Sequence, residues 1–149
     1  MTPAQARDAE IALETKINRI WTLLSAFEES SAACISDMLL HVSNGAYIEG
    51  SLMAARFIVH VETLFGAIDQ LDKLNIKAVG QGLQYQKEAK LLCRKIVNFF
   101  SLLSKTFEVG VRRLGITQEL LSLVTGLAHY LKILIRLALT ASLRLVHRP

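Results

Sequence analysis

Proline is almost missing from this sequence, and its absence constrains the fold more than any motif does. The chain of 149 residues has two prolines, Pro3 and Pro149, and both lie at its ends. Proline interrupts a helix because it lacks a backbone N–H and clashes with the preceding turn. The interior also has few runs of Val and Thr. We therefore predict long α-helices.

Cysteine is scarce as well. Cys34 and Cys93 lie far apart and fit neither a disulfide framework nor a zinc-binding spacing. We interpret both as small buried apolar residues. The first ten residues, MTPAQARDAE, lack the basic and then apolar pattern of a secretory signal. We therefore expect an intracellular, cytoplasmic protein.

Motifs that would identify a reaction are missing too. The four histidines form no HExxH motif and no pair four residues apart. Gly80-Gln81-Gly82 lacks the Lys-Ser/Thr and the preceding strand of a phosphate-binding loop. No serine nucleophile elbow is present. We predict a protein that is not an enzyme and that has no catalytic residue, metal site or cofactor.

What the sequence does contain is apolar residues at helical spacing. A capping box at Thr2 and Gln5 begins a first helix, and Ser43-Asn44-Gly45 ends it. The predicted helices span about 3–43, 46–73, 83–114 and 117–146, with Thr117 as the cap of the last. Short connections make consecutive helices antiparallel neighbours. We predict an all-α fold, a single domain over residues 1–149 that forms an antiparallel up-down-up-down four-helix bundle with long helices.

The predicted core follows one apolar stripe on each of the first three helices. Its members are Leu13, Ile17, Ile20, Leu24, Phe27, Cys34, Ile35, Met38 and Val42, then Met53, Phe57, Val61, Leu64, Phe65, Ile68 and Leu71, then Leu92, Ile96, Phe99, Phe100, Leu103 and Phe107. The first stripe keeps its phase across Glu28-Glu29-Ser30-Ser31, which favours one continuous helix over two shorter ones. Glu28 falls at the edge of this apolar arc, where it either flanks a groove or marks a break.

The last helix, LLSLVTGLAHYLKILIRLALTASLRLV, is long and apolar enough to raise the question of a membrane span. Lys132 and Arg136 lie in its middle, and each costs about 2.5–3.5 kcal/mol at a bilayer centre. Eight polar residues share one arc of about 120°: Ser122, Thr125, His129, Lys132, Arg136, Thr140, Arg144 and His147. A bundle helix of a protein that is not transmembrane is therefore favoured, with an in-plane or a spanning membrane helix as the alternatives.

Charge is divided unevenly along the chain. Residues 1–74 carry 5 basic and 10 acidic side chains, whereas residues 75–149 carry 12 basic and 3 acidic ones. The basic helix faces either complement the acidic half or attract phosphates, acidic peptides or anionic lipid. Aromatic residues are nearly absent from these faces, so we predict no nucleic-acid binding. The candidate basic binding residues are Lys87, Lys90, Arg94, Lys105, Arg112, Lys132, Arg136 and Arg144.

Some apolar residues lie outside the predicted core stripes. The apolar arc of the last helix is about 200° wide, where a bundle helix needs little over 100°. Either this helix lies deep between its neighbours or part of its surface awaits a partner. Leu52 and Val59 on the second helix and Leu102 on the third are further candidates for a surface that self-associates or docks onto a protein.

Two blocks of the chain resemble a known region. They are FEESSAACISDMLLHVSNGAYIEGSLMAARFIVHVETLF and TQELLSLVTGLAHYLKILIRLALTASLRLV, the second preceded by AKLLCRKIVNFFSLLS. They resemble the helical region between the LIM domains and the GTPase-activating domain of fungal LIM-type RhoGAP proteins. The chain has no CxxC or HxxC zinc spacing of a LIM fold and no arginine-finger loop. The resemblance therefore implies a connecting or targeting module and not the catalytic part.

These features together predict a non-enzymatic helical interaction or scaffolding module of a larger cytoplasmic signalling protein. It would bind a protein partner or self-associate through apolar helix surfaces. The alternative is peripheral binding to anionic membrane through the basic helix faces.

Overall fold

The computed structural model describes residues 2–107 and 115–147, which form four α-helices and no strand. The helices are α1 (Pro3–Ser43), α2 (Tyr47–Val79), α3 (Gln86–Lys105) and α4 (Ile116–Val146). The predicted all-α fold is confirmed. The helices that pack most extensively are α1 with α2, α1 with α4, and α3 with α4.

The helix α1 is continuous over 41 residues. The capping box is present, because the Thr2 N–H donates to Gln5 Oε1 at 2.8 Å and the Gln5 N–H donates to Thr2 Oγ1 at 3.1 Å. The hydroxyls of Ser30 and Ser31 each donate to the carbonyl three residues earlier at 3.2 Å, so both serines are satisfied within the helix. The alternative of two shorter helices is therefore not observed.

The helix α2 continues six residues beyond its predicted end at residue 73. The side-chain amide of Asn75, which lies in this extension, donates to the Gln81 carbonyl at 2.7 Å. It thus holds the connection that follows the helix. The helix ends at Gly80, whose φ of 76° lies in the left-handed region that favours glycine.

The helix α3 begins later and ends earlier than the predicted range 83–114, of which residues 108–114 lie outside the described residues. It begins later because the Leu83 N–H donates to Asp72 Oδ1 at 2.7 Å, which fixes this part of the chain in the connection. It ends at Lys105, where the N–H and the hydroxyl of Thr106 both donate to the Leu103 carbonyl. Phe107 lies in the turn after the helix and is 51% exposed, so its predicted place in the core is wrong.

One apolar core joins all four helices. Phe57, Phe99, Leu64 and Leu120 are among its fully buried side chains. The helix α4 contacts each of the other three helices, whereas α2 and α3 barely meet. Thr117 does not cap α4, which begins at Ile116 after Gly115, and its hydroxyl is hydrogen-bonded to the Tyr47 hydroxyl in α2.

The question of a membrane span concerns two helices of the structure. Both α2 and α4 are long and apolar enough, by length and composition alone, to cross a membrane. Such helices also form the cores of soluble proteins. The polar stripe that the sequence predicts on α4 is exposed in the structure at all eight positions: Ser122, Thr125, His129, Lys132, Arg136, Thr140, Arg144 and His147.

Candidate functional site

A groove runs between α1 and α4, with a volume of about 400 Å³. Its lining comes from both helices: Glu28, Ser31, Ala32 and Ile35 from α1, and Ala128, Leu131, Lys132, Ile135 and Arg136 from α4. We refer to it as the α1–α4 groove. Its floor is apolar, and its charged residues lie on opposite helices.

Small side chains keep the α1–α4 groove open. Ser31 and Ala32 on α1 and Ala128 on α4 stand where larger residues would fill the space between the two helices. Ile35 and Ile135 are 8% and 3% exposed and lie below them. The result is an apolar depression bounded by two rigid helices, which is the shape that accepts an apolar side chain or helix face.

The charges at the α1–α4 groove differ in sign from one side to the other. Glu28 stands on the α1 side, and Lys132 and Arg136, four residues apart on one helix face, stand on the α4 side. No ion pair joins Glu28 to Lys132 or Arg136 in the described part of the chain. These three charges therefore remain available to a third group. Of the two interpretations of Glu28, the structure supports the one that places it beside a groove.

The outer face of α2 carries exposed apolar side chains. Ile48, Leu52 and Val59 are 64%, 60% and 62% exposed, and their spacing puts them on one face of the helix. The predicted exposure of Leu52 and Val59 is therefore confirmed. Leu102 is 8% exposed and belongs to the core, because it lies on the side of α3 that packs inward. Its prediction as a surface residue is wrong.

The predicted basic residues separate into two groups. Lys87, Lys90, Arg94 and Lys105 lie exposed along α3, and Lys132, Arg136 and Arg144 lie exposed along α4. Arg112 lies outside the described residues. Lys132 and Arg136 line the α1–α4 groove, and Arg136 and Arg144 line the second cavity, which is described next. The basic residues of α3 line neither of these two spaces.

A second cavity, of about 380 Å³, lies between the α2–α3 connection and α4. Arg136, Thr140 and Arg144 line one side. Asn75 and residues 81–84 line the other, and we call this space the loop cavity. Sequence reasoning missed it, because the residue pattern of the α2–α3 connection does not indicate which helix the connection lies beside.

The two cysteines differ in their surroundings. Cys34 is buried, and its thiol donates to the Met53 carbonyl at 3.3 Å. Burial, and next the negative charge of Asp37, raise the pKa of the Cys34 thiol. Cys93 is exposed on α3, so its prediction as a buried residue is wrong.

Residues 2–107 and 115–147 bring together no group of three or more His, Cys, Asp or Glu side chains that would hold a metal ion. That the protein works without a metal or cofactor stays a prediction.

Comparison with known proteins places similar sequences inside fungal Rho GTPase-activating proteins. The chain is 48% identical over 145 residues to the Rho-type GTPase-activating protein 1 of Schizosaccharomyces pombe, covering 97% of this chain and 13% of that protein. It is 27% identical over 140 residues to the Rho-GTPase-activating protein LRG1 of Saccharomyces cerevisiae, covering 85% of this chain and 14% of that protein. The chain thus spans about an eighth to a seventh of these relatives. No protein-family model matches it, and no solved structure matches it.

Proposed function

We propose that this chain is a non-enzymatic helical interaction module of a larger signalling protein, and that the α1–α4 groove binds an amphipathic helix of a protein partner. The observation that carries the proposal is the apolar floor of this groove, flanked by opposite charges that do not pair with each other. Helix-in-groove recognition needs such a floor for the anchor residues of the incoming helix.

The charges define the partner further. An incoming helix would place apolar residues at positions i, i+3 or i+4, and i+7 on Ile35, Leu131 and Ile135. An acidic edge would then face Lys132 and Arg136, and a basic edge would face Glu28. Charge complementarity of this kind sets the direction of binding more than its strength.

The relatives supply the context of this module. Their names describe Rho GTPase-activating proteins, and we propose that the chain is the segment between the LIM domains and the GTPase-activating domain of such a protein. It would act there as a cytoplasmic connecting or targeting element and not as the catalyst. In this proposal the helices run alternately up and down, which the short turn after α1 and the hydrogen bond between Tyr47 and Thr117 favour.

The groove is tested with a substitution that fills it. Ala32→Arg places a long side chain in the groove, whereas Ala33→Arg adds the same side chain at the neighbouring exposed position, which does not line the groove. The probe is a fluorescent amphipathic peptide with Leu anchors, one acidic edge and one basic edge. We expect Ala32→Arg to weaken binding about 10-fold or more and Ala33→Arg to leave it unchanged, as measured by fluorescence anisotropy.

A second peptide, of the same composition but with its charged edges exchanged, tests the orientation. We expect it to bind in the opposite direction along the groove, because that direction keeps its acidic edge beside Lys132 and Arg136. A spin label at one end of each peptide reports the direction. The same direction for both peptides, or equal loss of binding in the Ala32→Arg and Ala33→Arg variants, contradicts helix binding at this groove. Circular dichroism of each variant verifies that its helices are intact.

Peripheral binding to anionic membrane is the second candidate, favoured by the exposure of all seven described basic candidates. It predicts that the protein sediments with phosphatidylserine vesicles at low salt. Charge reversal at Lys90, Arg94, Lys132 and Arg136 would abolish that sedimentation. Binding that is absent at low salt, or that does not respond to the reversals, contradicts it.

A further inference from the structure

We propose that the loop cavity is a binding site for a phosphate group, held by Arg136, Thr140 and Arg144 of α4. This site lies beyond the proposed helix-binding function. It uses the opposite side of α4 from the floor of the α1–α4 groove, and Arg136 is the one residue that lines both spaces.

The helix arranges the three residues in a row. Arg136, Thr140 and Arg144 follow each other at intervals of four residues, so they lie on neighbouring turns of one face of α4. Two guanidinium groups therefore flank one hydroxyl over a rise of about 12 Å. Both arginine side chains are long enough to converge on a group that lies above Thr140.

The opposite wall of the loop cavity is held in place. The Asp72 carboxylate accepts the Leu83 N–H at 2.7 Å, and the Asn75 amide donates to the Gln81 carbonyl at 2.7 Å. A Cβ on Gly82 would lie 3.0 Å from Asp72 Oδ1, so glycine allows this close approach of the connection to α2. The connection is thus fastened to α2 at two points, and Gln81 and Gln84 add amide groups to the cavity wall.

The positive charge in the loop cavity favours an anionic ligand. No acidic side chain lines it, and no ion pair neutralises Arg136 or Arg144 within residues 2–107 and 115–147. Two arginines that line one partly open cavity concentrate positive potential there.

Phosphate fits this arrangement better than a carboxylate does. A guanidinium binds two oxygens of one anion through parallel N–H donors. A carboxylate offers two oxygens in one plane, whereas a phosphate monoester presents three terminal oxygens around phosphorus, so that each arginine and the Thr140 hydroxyl reach it from a different direction. The proposed ligand class is therefore a phosphate monoester, either a soluble one or the headgroup of a phosphoinositide.

Arg144→Ala and Arg94→Ala form the matched pair of variants for the test. Each removes one exposed arginine and one positive charge, but only Arg144 lines the loop cavity. The probes are inorganic phosphate and inositol trisphosphate, titrated at constant ionic strength and followed by the backbone amide shifts of residues 81–84. We expect Arg144→Ala to weaken binding about 10-fold or more and Arg94→Ala to leave it unchanged.

Two conservative variants separate a built site from a charged surface. Arg144→Lys keeps the charge and loses the two parallel donors, and we expect it to weaken binding severalfold. Thr140→Val keeps the shape and loses the hydroxyl, and we expect a smaller loss. Lack of saturable binding of either probe, equal losses in Arg144→Ala and Arg94→Ala, or full affinity in both conservative variants would overturn the proposal.

The source of the phosphate is distinguished by vesicles of phosphatidylcholine with and without a phosphatidylinositol bisphosphate. Sedimentation with the bisphosphate vesicles that is lost in Arg144→Ala indicates a lipid headgroup. Binding of the two soluble probes without such sedimentation indicates a soluble phosphate monoester. Arg144 does not line the α1–α4 groove and Ala32 does not line the loop cavity. Failure of one site is therefore distinguishable from failure of the other.

Discussion

The helices α2 and α4 have similar lengths, 33 and 31 residues, and both are apolar enough to cross a membrane, yet the fold uses them differently. The helix α4 contacts α1, α2 and α3, whereas α2 packs chiefly on α1. The exposed residues of α4 form a predominantly polar stripe, but the outer face of α2 exposes Ile48, Leu52 and Val59. The angular distribution of apolar residues, and not their number, therefore decides how a helix is used.

This comparison also explains the wide apolar arc of α4. Two explanations were open, a deep position between neighbours or a surface that awaits a partner. Three packing neighbours account for the arc through the first explanation. Exposed apolar side chains lie on one face of α2, at Ile48, Leu52 and Val59, and the α1–α4 groove and the loop cavity lie next to α4.

The largest expected contrast between the two helices is in stability. Leu134 of α4 is fully buried, and Leu52 of α2 is 60% exposed. Leu134→Ala should lower the free energy of unfolding by about 2–5 kcal/mol, because it leaves a cavity in the apolar core. Leu52→Ala should change it by less than about 0.5 kcal/mol. Urea unfolding followed by circular dichroism measures both, and similar losses would mean that the outer face of α2 is covered.

A smaller contrast is expected at two helix-interior glycines. A Cβ on Gly66 of α2 would have nothing within 4 Å, whereas a Cβ on Gly126 of α4 would lie 3.4 Å from the Lys95 side chain on α3. Gly66→Leu should raise the free energy of unfolding by about 0.5–1 kcal/mol through better helix propensity. Gly126→Leu should raise it by less than Gly66→Leu does, because the larger side chain displaces the flexible Lys95 side chain that already lies in contact distance.

Thermal and urea unfolding of the two glycine variants provide the measurement, with the matched Gly→Ala variants as controls for helix propensity alone. Equal stabilisation by Gly126→Leu and Gly66→Leu would show that the Lys95 side chain of α3 does not restrict the side chain at position 126.

The smallest effect concerns the reactivity of the two cysteines. Cys34 lies against the side of α2 that packs on α1, and Cys93 lies on the exposed surface of α3. Cys34 donates to the Met53 carbonyl of α2 and is buried, whereas Cys93 is exposed. At neutral pH we expect a thiol reagent to modify Cys93 about 10-fold faster or more, because Cys34 reacts only after local opening. Rates measured on Cys34→Ala and Cys93→Ala assign each phase, and equal rates would contradict the packing of α1 on α2.

The raised pKa of Cys34 gives this residue a predicted effect on alkaline stability. Because the folded-state pKa lies above the ordinary value of 9.0, the neutral thiol stabilises the folded protein below that pH. This contribution is lost as the pH rises above 9 through the folded-state pKa. The free energy of unfolding of the native protein should therefore fall more between neutral and alkaline pH than that of the Cys34→Ala variant. An identical pH dependence would contradict the prediction.

Much of the fold was predictable because local signals were strong. The capping box at Thr2 and Gln5, the unbroken apolar phase of α1 and the polar stripe of α4 each depend on residues within one helix. The ends of α2 and α3 were not predicted, since they depend on Asp72 and Asn75, whose side chains bond to the chain 11 and 6 residues further on. Local patterns carry no information about such partners.

The candidate sites were predictable only in part, for the same reason. The sequence identified Lys132, Arg136 and Arg144 as exposed basic residues and Leu52 and Val59 as exposed apolar ones. It misplaced Leu102, which is 8% exposed and lies in the core, and it did not indicate that residues 81–84 would line a cavity together with Arg136 and Arg144.

The sequence by itself determined four helices, the apolar stripe of each, and the separation of charge between the two halves of the chain. These follow from propensity and periodicity, which operate within a few turns of one helix. Only the tertiary structure decided that α4 contacts all three other helices, that Glu28 faces Lys132 and Arg136 across a groove, and that the α2–α3 connection lies beside α4. A groove or a cavity is a relation between helices, and the spacing of residues along one helix does not determine how far away its neighbour lies.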